Sequence, residues 1–277
     1  HSHTLPSEPA VVNGIPIVQA GVGTNQIGRF DITLDTEKNG VADYTWQTVP
    51  IKEDHCPVDE TIEALITSYK DQTDRKYSRV ITRFRRRLTH PARNMETELG
   101  GLFADALKKS LGVDIMLLAS GSVRKAALGP IVLYSDLNEC FPFDDGVYLL
   151  WVKGAQLREM LLYMLRDEAF AGAHTEFYQF SSGLHAIYDR ATRSFTKFTY
   201  FGKPVEDGQT FTLGLQEYHY QIFEEAFGMP VSRIRKNGAP RMISTSCRNI
   251  LEEYLSTHQH LDRKAGSRLR VVEERKC

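Results

Sequence analysis

Cysteine is scarce in this sequence: four in 277 residues, at Cys56, Cys140, Cys247 and Cys277. None falls in Cys-x-x-Cys spacing, which excludes a zinc ribbon or a dithiol redox motif. The spacing leaves both a disulfide and four free thiols open. Net charge is close to nothing, −1 from 34 Lys+Arg against 35 Asp+Glu, so no overall field draws the chain to nucleic acid or to a membrane surface. No apolar run approaches the length of a membrane span. Repeats and low-complexity blocks are missing too. The sequence opens at His1 with neither an initiator Met nor a signal peptide, so it carries no readable compartment address. What remains is an ordinary globular composition, 42% hydrophobic and 25% charged, with length for one large domain or two small ones.

The most organised stretch runs from Arg93 to Asp145. Leu99, Leu102, Phe103, Ala106 and Leu107 recur at three- and four-residue steps and predict a helix. Thr97 stands where a cap belongs, with Glu96 and Glu98 where the helix dipole favours acids. Asp114 to Leu118 is a short apolar run that fits a buried strand. It empties into Ser120-Gly121-Ser122, a small-residue turn whose backbone N–H groups can approach an anion, and Arg124 follows at once. A strand, a Gly/Ser turn and an arginine together suit a phosphate.

Around this stretch, residues 29–34 alternate as a half-buried strand. Residues 51–76 read as a connector, with a helix opened by Pro57 and an apolar face of Ile62, Leu65, Ile66 and Tyr69. Residues 78–88 alternate as a strand that turns basic at Arg83, Arg85, Arg86 and Arg87, a run expected to be a solvated face. Val147 to Val152 is apolar enough for a central strand, and Gly154 to Arg166 is an amphipathic helix. From 177 to 216 the pattern is all strand, with turns at Asp189-Arg190 and Asp207-Gly208. The tail adds a helix from Cys247 to Leu255, after Ser244-Thr245-Ser246, and a strand at Leu269 to Val272.

Several ordered pieces carry a resemblance. Glu96-Thr97-x-Leu99-Gly100-x-Leu102-x-Ala104-Asp105-Ala106 is followed by Ser120-Gly121-Ser122-Val123-Arg124, Gly129-Pro130-Ile131 and Phe141-Pro142-Phe143-Asp144. Val152 to Leu157, Phe180 to Leu184 and Phe201 to Val205 continue the order. The set resembles the C-terminal domain of the 5'-nucleotidase family of two-domain metallophosphoesterases. The resemblance implies an α+β fold of mixed sheets with packed helices. It divides the chain into a C-terminal remnant of a metallophosphoesterase domain (1–50), a connector helix (51–76) and a 5'-nucleotidase-type substrate-binding domain (77–277).

For function, the resemblance implies a metal-dependent phosphoric ester hydrolase of nucleotide catabolism when full-length. Arg93 and Arg124 are expected to hold phosphate, with Ser122 in the turn, and Phe143 and Tyr218 to sandwich a base. His1 and His3 match two ligands of a di-metal centre of the Zn or Mn type; a frayed tail is the alternative. Two histidines cannot complete such a centre, and the family's upstream ligand segments are absent from this sequence. The fragment is therefore expected to be inactive and to hold no metal tightly, its metal domain being elsewhere. The alternative for Arg93 is a surface ion pair with Glu96, and for Phe143 a place in the core. The expected partner is a nucleotide or another phosphorylated small molecule, not nucleic acid, and the resemblance implies a periplasmic or extracellular location. Two departures stand out. The family's glycine-rich loop after the second aromatic is replaced by Tyr218-His219-Tyr220-Gln221, which reads as a helix start. Its Gly-Asn after the Pro-Phe pair is Asp144-Asp145, two carboxylates where an anion should come. These departures leave room for a non-catalytic nucleotide-binding or interaction protein, or for a relative acting on a non-nucleotide phosphoester.

Overall fold

The computed structural model describes residues 4–21, 23–52, 57–171, 175–266 and 268–272. The chain divides into two units, one ending at Gln72 and one beginning at Thr73.

In the first unit, Ala10–Val12 and Ile15–Ile17 pair as a hairpin. Its turn, Asn13-Gly14, has positive φ at both residues, the geometry for which this dipeptide is favoured. A longer hairpin pairs Gln26–Asp35 with Gly40–Pro50, and Phe30 meets Tyr44 and Trp46 at ring separations of 5.5 and 6.2 Å. Much of the remaining apolar surface is uncovered, including Val11, Ile15, Ile27, Leu34 and Val49. The connector helix runs Glu60–Tyr77 and starts later than Pro57 because the Asp59 carboxylate accepts from the N–H groups of Thr61 and Ile62. Ile62, Leu65, Ile66 and Tyr69 are all exposed.

The second unit is built on a five-stranded sheet in the spatial order Tyr178–Phe180, Ile115–Ala119, Thr210–Gln216, Val147–Lys153, Arg241–Ser244. Ile115–Ala119 and Thr210–Gln216 run parallel; the other neighbours are antiparallel. Every residue of Ile115–Ala119 is buried, because the sheet is covered on both faces. Met116 and Leu118 face a core shared with the helices Glu98–Leu111 and Cys247–Thr257. Ile115, Leu117 and Ala119 face the opposite core, formed with the helix Gly154–Met164 and a second sheet. That sheet orders Lys203–Pro204, Ser194–Tyr200, Leu184–Asp189 and the parallel strand Leu269–Val272.

Capping fixes the central helix. The Thr97 hydroxyl accepts from Gly100 N at 3.1 Å, and Gly112 ends the helix at φ 66°. The basic run differs from expectation. The strand stops at Arg83 and a short one resumes at Leu88–Thr89. Arg86 is no solvated bystander: it makes a two-pronged pair with Glu98 and another with Asp262. Those bonds hold the Glu98 carboxyl down at about 2. Cys140 and Cys247 are buried free thiols, while Cys56 and Cys277 lie outside the described residues. Among the described residues no helix is long and apolar enough to cross a membrane.

Candidate functional site

Strand direction makes one edge of the five-stranded sheet special. Ile115–Ala119 and Thr210–Gln216 end there, while Tyr178–Phe180 and Val147–Lys153 begin there, since Ala119 pairs with Tyr178 and Gln216 with Val147. Four loops therefore leave the sheet in a row, spaced by about 4.8 Å per strand. From one end of the row they carry Glu176, the turn with Arg124, Tyr218, and the segment with Phe143 and Asp145. The carboxyl ends of parallel strands are where open sheets bind ligands.

Arg124 and Arg93 are both exposed, and neither makes an ion pair among the described residues. Burial lowers the Arg124 pKa, and the charge of nearby Arg93 lowers it further, against an opposing pull from Glu176. Two like charges thus sit close together, with the Glu176 carboxylate also near Arg124. The Arg124 guanidinium lies 5.4 Å from the centre of the Phe143 ring and donates to Gly121 O at 3.3 Å. Its own N–H donates to Cys140 O at 2.8 Å, tying the turn to the segment that carries Phe143. Phe143 is half exposed, so it is not a core aromatic.

The surface pair between Arg93 and Glu96 does not form. Glu96 is buried and turned the other way, accepting from Arg263, from Arg268 N and from Leu269 N. Ser122 is buried, and its hydroxyl donates to Gln216 Oε1 at 3.0 Å, so it faces the interior. The turn is a short 3-10 segment, and its Gly121 N–H donates to Glu176 Oε1 at 2.9 Å. An internal carboxylate thus occupies the N–H that was expected to meet a ligand anion.

Tyr218 is exposed on a short helix, Glu217–Gln221, in agreement with the helical reading of this stretch. Its ring meets His219 edge-on at 5.2 Å. His219 is buried; its Nδ1 lies 2.8 Å from Tyr178 Oη, and burial brings its pKa down to about 4. Of the two carboxylates after Phe143, Asp144 is engaged by the Arg248 side chain and N–H and by Ser246 at the start of Cys247–Thr257. Asp145 has no such cation among the described residues. Burial and then the neighbouring Glu217 and Asp144 charges raise its pKa.

The row therefore gathers Arg93, Arg124, Phe143 and Tyr218 along one edge and turns Ser122 inward. Sequence reasoning missed Glu176, Gln179 and Gln216. The only trace of Gln179 was a lone amide between Tyr178 and Phe180 in an apolar strand. His1 and His3 lie outside the described residues. Among the described residues no group of three or more His, Cys, Asp or Glu could hold a metal ion.

The pattern of the family described as 5'-nucleotidase, C-terminal domain, matches residues 75–229. Endonuclease YhcR of Bacillus subtilis is 25% identical over 162 residues, covering 58% of this chain and 13% of that protein. Protein UshA of Yersinia enterocolitica is 21% identical, covering 93% of this chain and 48% of its own length. Among solved structures, a 5'-nucleotidase precursor from Thermus thermophilus superposes with a TM-score of 0.66 at 18% identity, over 93% of this chain and 52% of that one. At that identity the likeness is one of fold. The chain spans about half, or less, of the length of the relatives it matches.

Proposed function

This chain belongs to the 5'-nucleotidase C-terminal domain family, and on that premise we propose that it is the substrate-binding part of a metal-dependent phosphoester hydrolase. The observation that carries the reading is the pair of neighbouring guanidinia at Arg93 and Arg124, in no salt bridge among the described residues and set beside an exposed aromatic at the carboxyl-end edge of the sheet. Clustered cations outside any salt bridge favour an anion between them, and guanidinium forks suit phosphoryl oxygens. Phe143 and Tyr218 supply ring faces for a base. The expected ligand is a nucleotide or a similarly built phosphorylated small molecule. Ser122 acts from behind, by holding the turn to Gln216.

The described residues do not fit the two divalent ions that the family resemblance implies. We assign those ions to a metallophosphoesterase domain of which residues 1–50 are the tail, with His1 and His3 as two of the ligands. The uncovered apolar residues of the long hairpin support this assignment, since an isolated two-stranded hairpin is marginal in water. The metals would activate water for in-line attack; this chain's residues bind and orient the ester. On its own the fragment does no hydrolysis. The resemblance supports a periplasmic or extracellular location.

One observation favours a second reading. The stretch after Tyr218 is helical where the resemblance calls for a pliant glycine-rich loop, and Asp145 and Glu217 crowd the same place. A non-nucleotide phosphoester, or binding without catalysis, accommodates that change. Titration of the chain with nucleoside monophosphates, read by tyrosine fluorescence, tests the first reading. Saturable quenching that disappears in Arg124→Ala supports it, and no response to any base removes it.

A further inference from the structure

Gln179 lies in the strand Tyr178–Phe180, pairs with Leu118, and is fully buried. Both polar atoms of its side chain are engaged. Oε1 accepts from Thr97 N at 3.0 Å, and Nε2 donates to Met95 O at 2.8 Å and to Ser120 Oγ at 2.9 Å. The amide can stand only one way round, because a flip would set its NH2 group against the Thr97 N–H. These partners belong to two separate stretches of chain. Met95 and Thr97 lie in the segment that carries Arg93, and Ser120 opens the turn that carries Arg124. One buried amide therefore bridges the supports of both guanidinia.

The packing around it is equally particular. A Cβ on Gly100 would lie 2.5 Å from Gln179 Cγ and 2.7 Å from Cδ, so the first turn of Glu98–Leu111 leaves the amide its space only by lacking a side chain. Thr97, which caps that helix, also meets His90 Nδ1 at 2.8 Å, so the Arg93 side of the bridge is anchored from two directions.

We propose that Gln179 is a positioning residue that sets the distance between the Arg93 and Arg124 guanidinia so that both reach one phosphoryl group. The inference rests on the reading of those two arginines as the phosphate-holding pair. Their mutual repulsion makes the distance costly to maintain with side chains alone, and a fixed backbone spacing prepares it before a ligand arrives. Aromatic contacts to a base do not pass through this bridge.

The test compares the affinity of the whole chain for adenosine 5'-monophosphate with its affinity for adenosine, by calorimetric titration. Their ratio isolates the contribution of the phosphate. In Gln179→Met, which keeps the volume and removes all three bonds, the ratio is expected to fall about tenfold, with adenosine binding unchanged, the size of one weakened charge-assisted contact. Ser120→Ala cuts only the link to the Arg124 turn and is expected to lower the ratio by about threefold. A role confined to stability would lower the melting temperature of both variants and leave the ratio alone, which would overturn the inference. If Gln179→Met does not fold, Ser120→Ala decides by itself. Arg124→Ala separates the two levels of the argument. If it abolishes the phosphate contribution while Gln179→Met and Ser120→Ala keep the wild-type ratio, the positioning role fails and the arginine assignment stands. If Arg124→Ala also leaves the ratio unchanged, both fall.

Discussion

The two ends of the sheet edge are built on opposite plans. At the cationic end, charge is exposed and in no salt bridge among the described residues, yet the backbone beneath it is fixed by buried amides whose atoms are largely spoken for. At the other end, Asp145 and Glu217 press negative charge against each other, and His219 is held neutral by burial behind Tyr218. The first end is rigid support under a ready charge. The second is strained by its own electrostatics. A ligand with an anionic head and a flat, donor-bearing body answers both ends at once, since hydrogen-bond donors relieve the carboxylates while the arginines take the head.

The comparison can be broken at either end. The largest effect on binding is expected at the cationic one: Arg124→Ala should weaken binding of a nucleoside monophosphate by about ten- to a hundredfold and leave the nucleoside unaffected, as loss of a hydrogen-bonded charge implies. Titrations of both ligands check it.

At the other end, acid should act through His219. Its folded pKa lies below the ordinary value of 6.5, at about 4. Its contribution to stability is therefore whole above about pH 6.5 and is lost as the pH falls toward 4, because the unfolded chain takes the proton first. The shift corresponds to about 3 kcal/mol. Denaturant titrations across that window should show the decline, and His219→Gln should flatten it.

Asp145→Asn should tighten binding of anionic ligands a few-fold at neutral pH by removing one repelling charge at the sheet edge. Wild type and variant should converge as acid protonates Asp145, whose pKa is already raised. The smallest effect is expected at the ring. Tyr218→Leu should cost base-bearing ligands about 0.5 kcal/mol and leave inorganic phosphate unaffected, which competition titration would reveal.

Much of the framework was legible because it obeys local rules. Thr97 caps the central helix, Ile115 to Ala119 is a strand buried on both faces, and Ser246 caps the last helix, each as the pattern of side chains demands. The long partner strand Gly40–Pro50 and the edge strand Arg241–Ser244 were not read, since their pairing is decided by neighbours distant in sequence or by a turn. Within the site, the arginines and rings stood out through chemistry and order. Their supports did not: Gln179 reaches Met95, 84 positions away, and Ser122 reaches Gln216, 94 away. Periodicity carries no information about such bonds. Arg86 misled for the same reason, because its partners Glu98 and Asp262 approach only in the folded chain.

The central claim is that this sheet edge grips a phosphorylated ligand through paired guanidinia. The most direct measurement is calorimetric titration of wild type and Arg124→Ala with one nucleoside and its 5'-monophosphate. The account predicts at least tenfold tighter binding of the monophosphate by wild type, about the size of one charge-assisted bond, and no such preference in the variant. Equal affinities for the two ligands in wild type, or a preference that survives loss of Arg124, would contradict it.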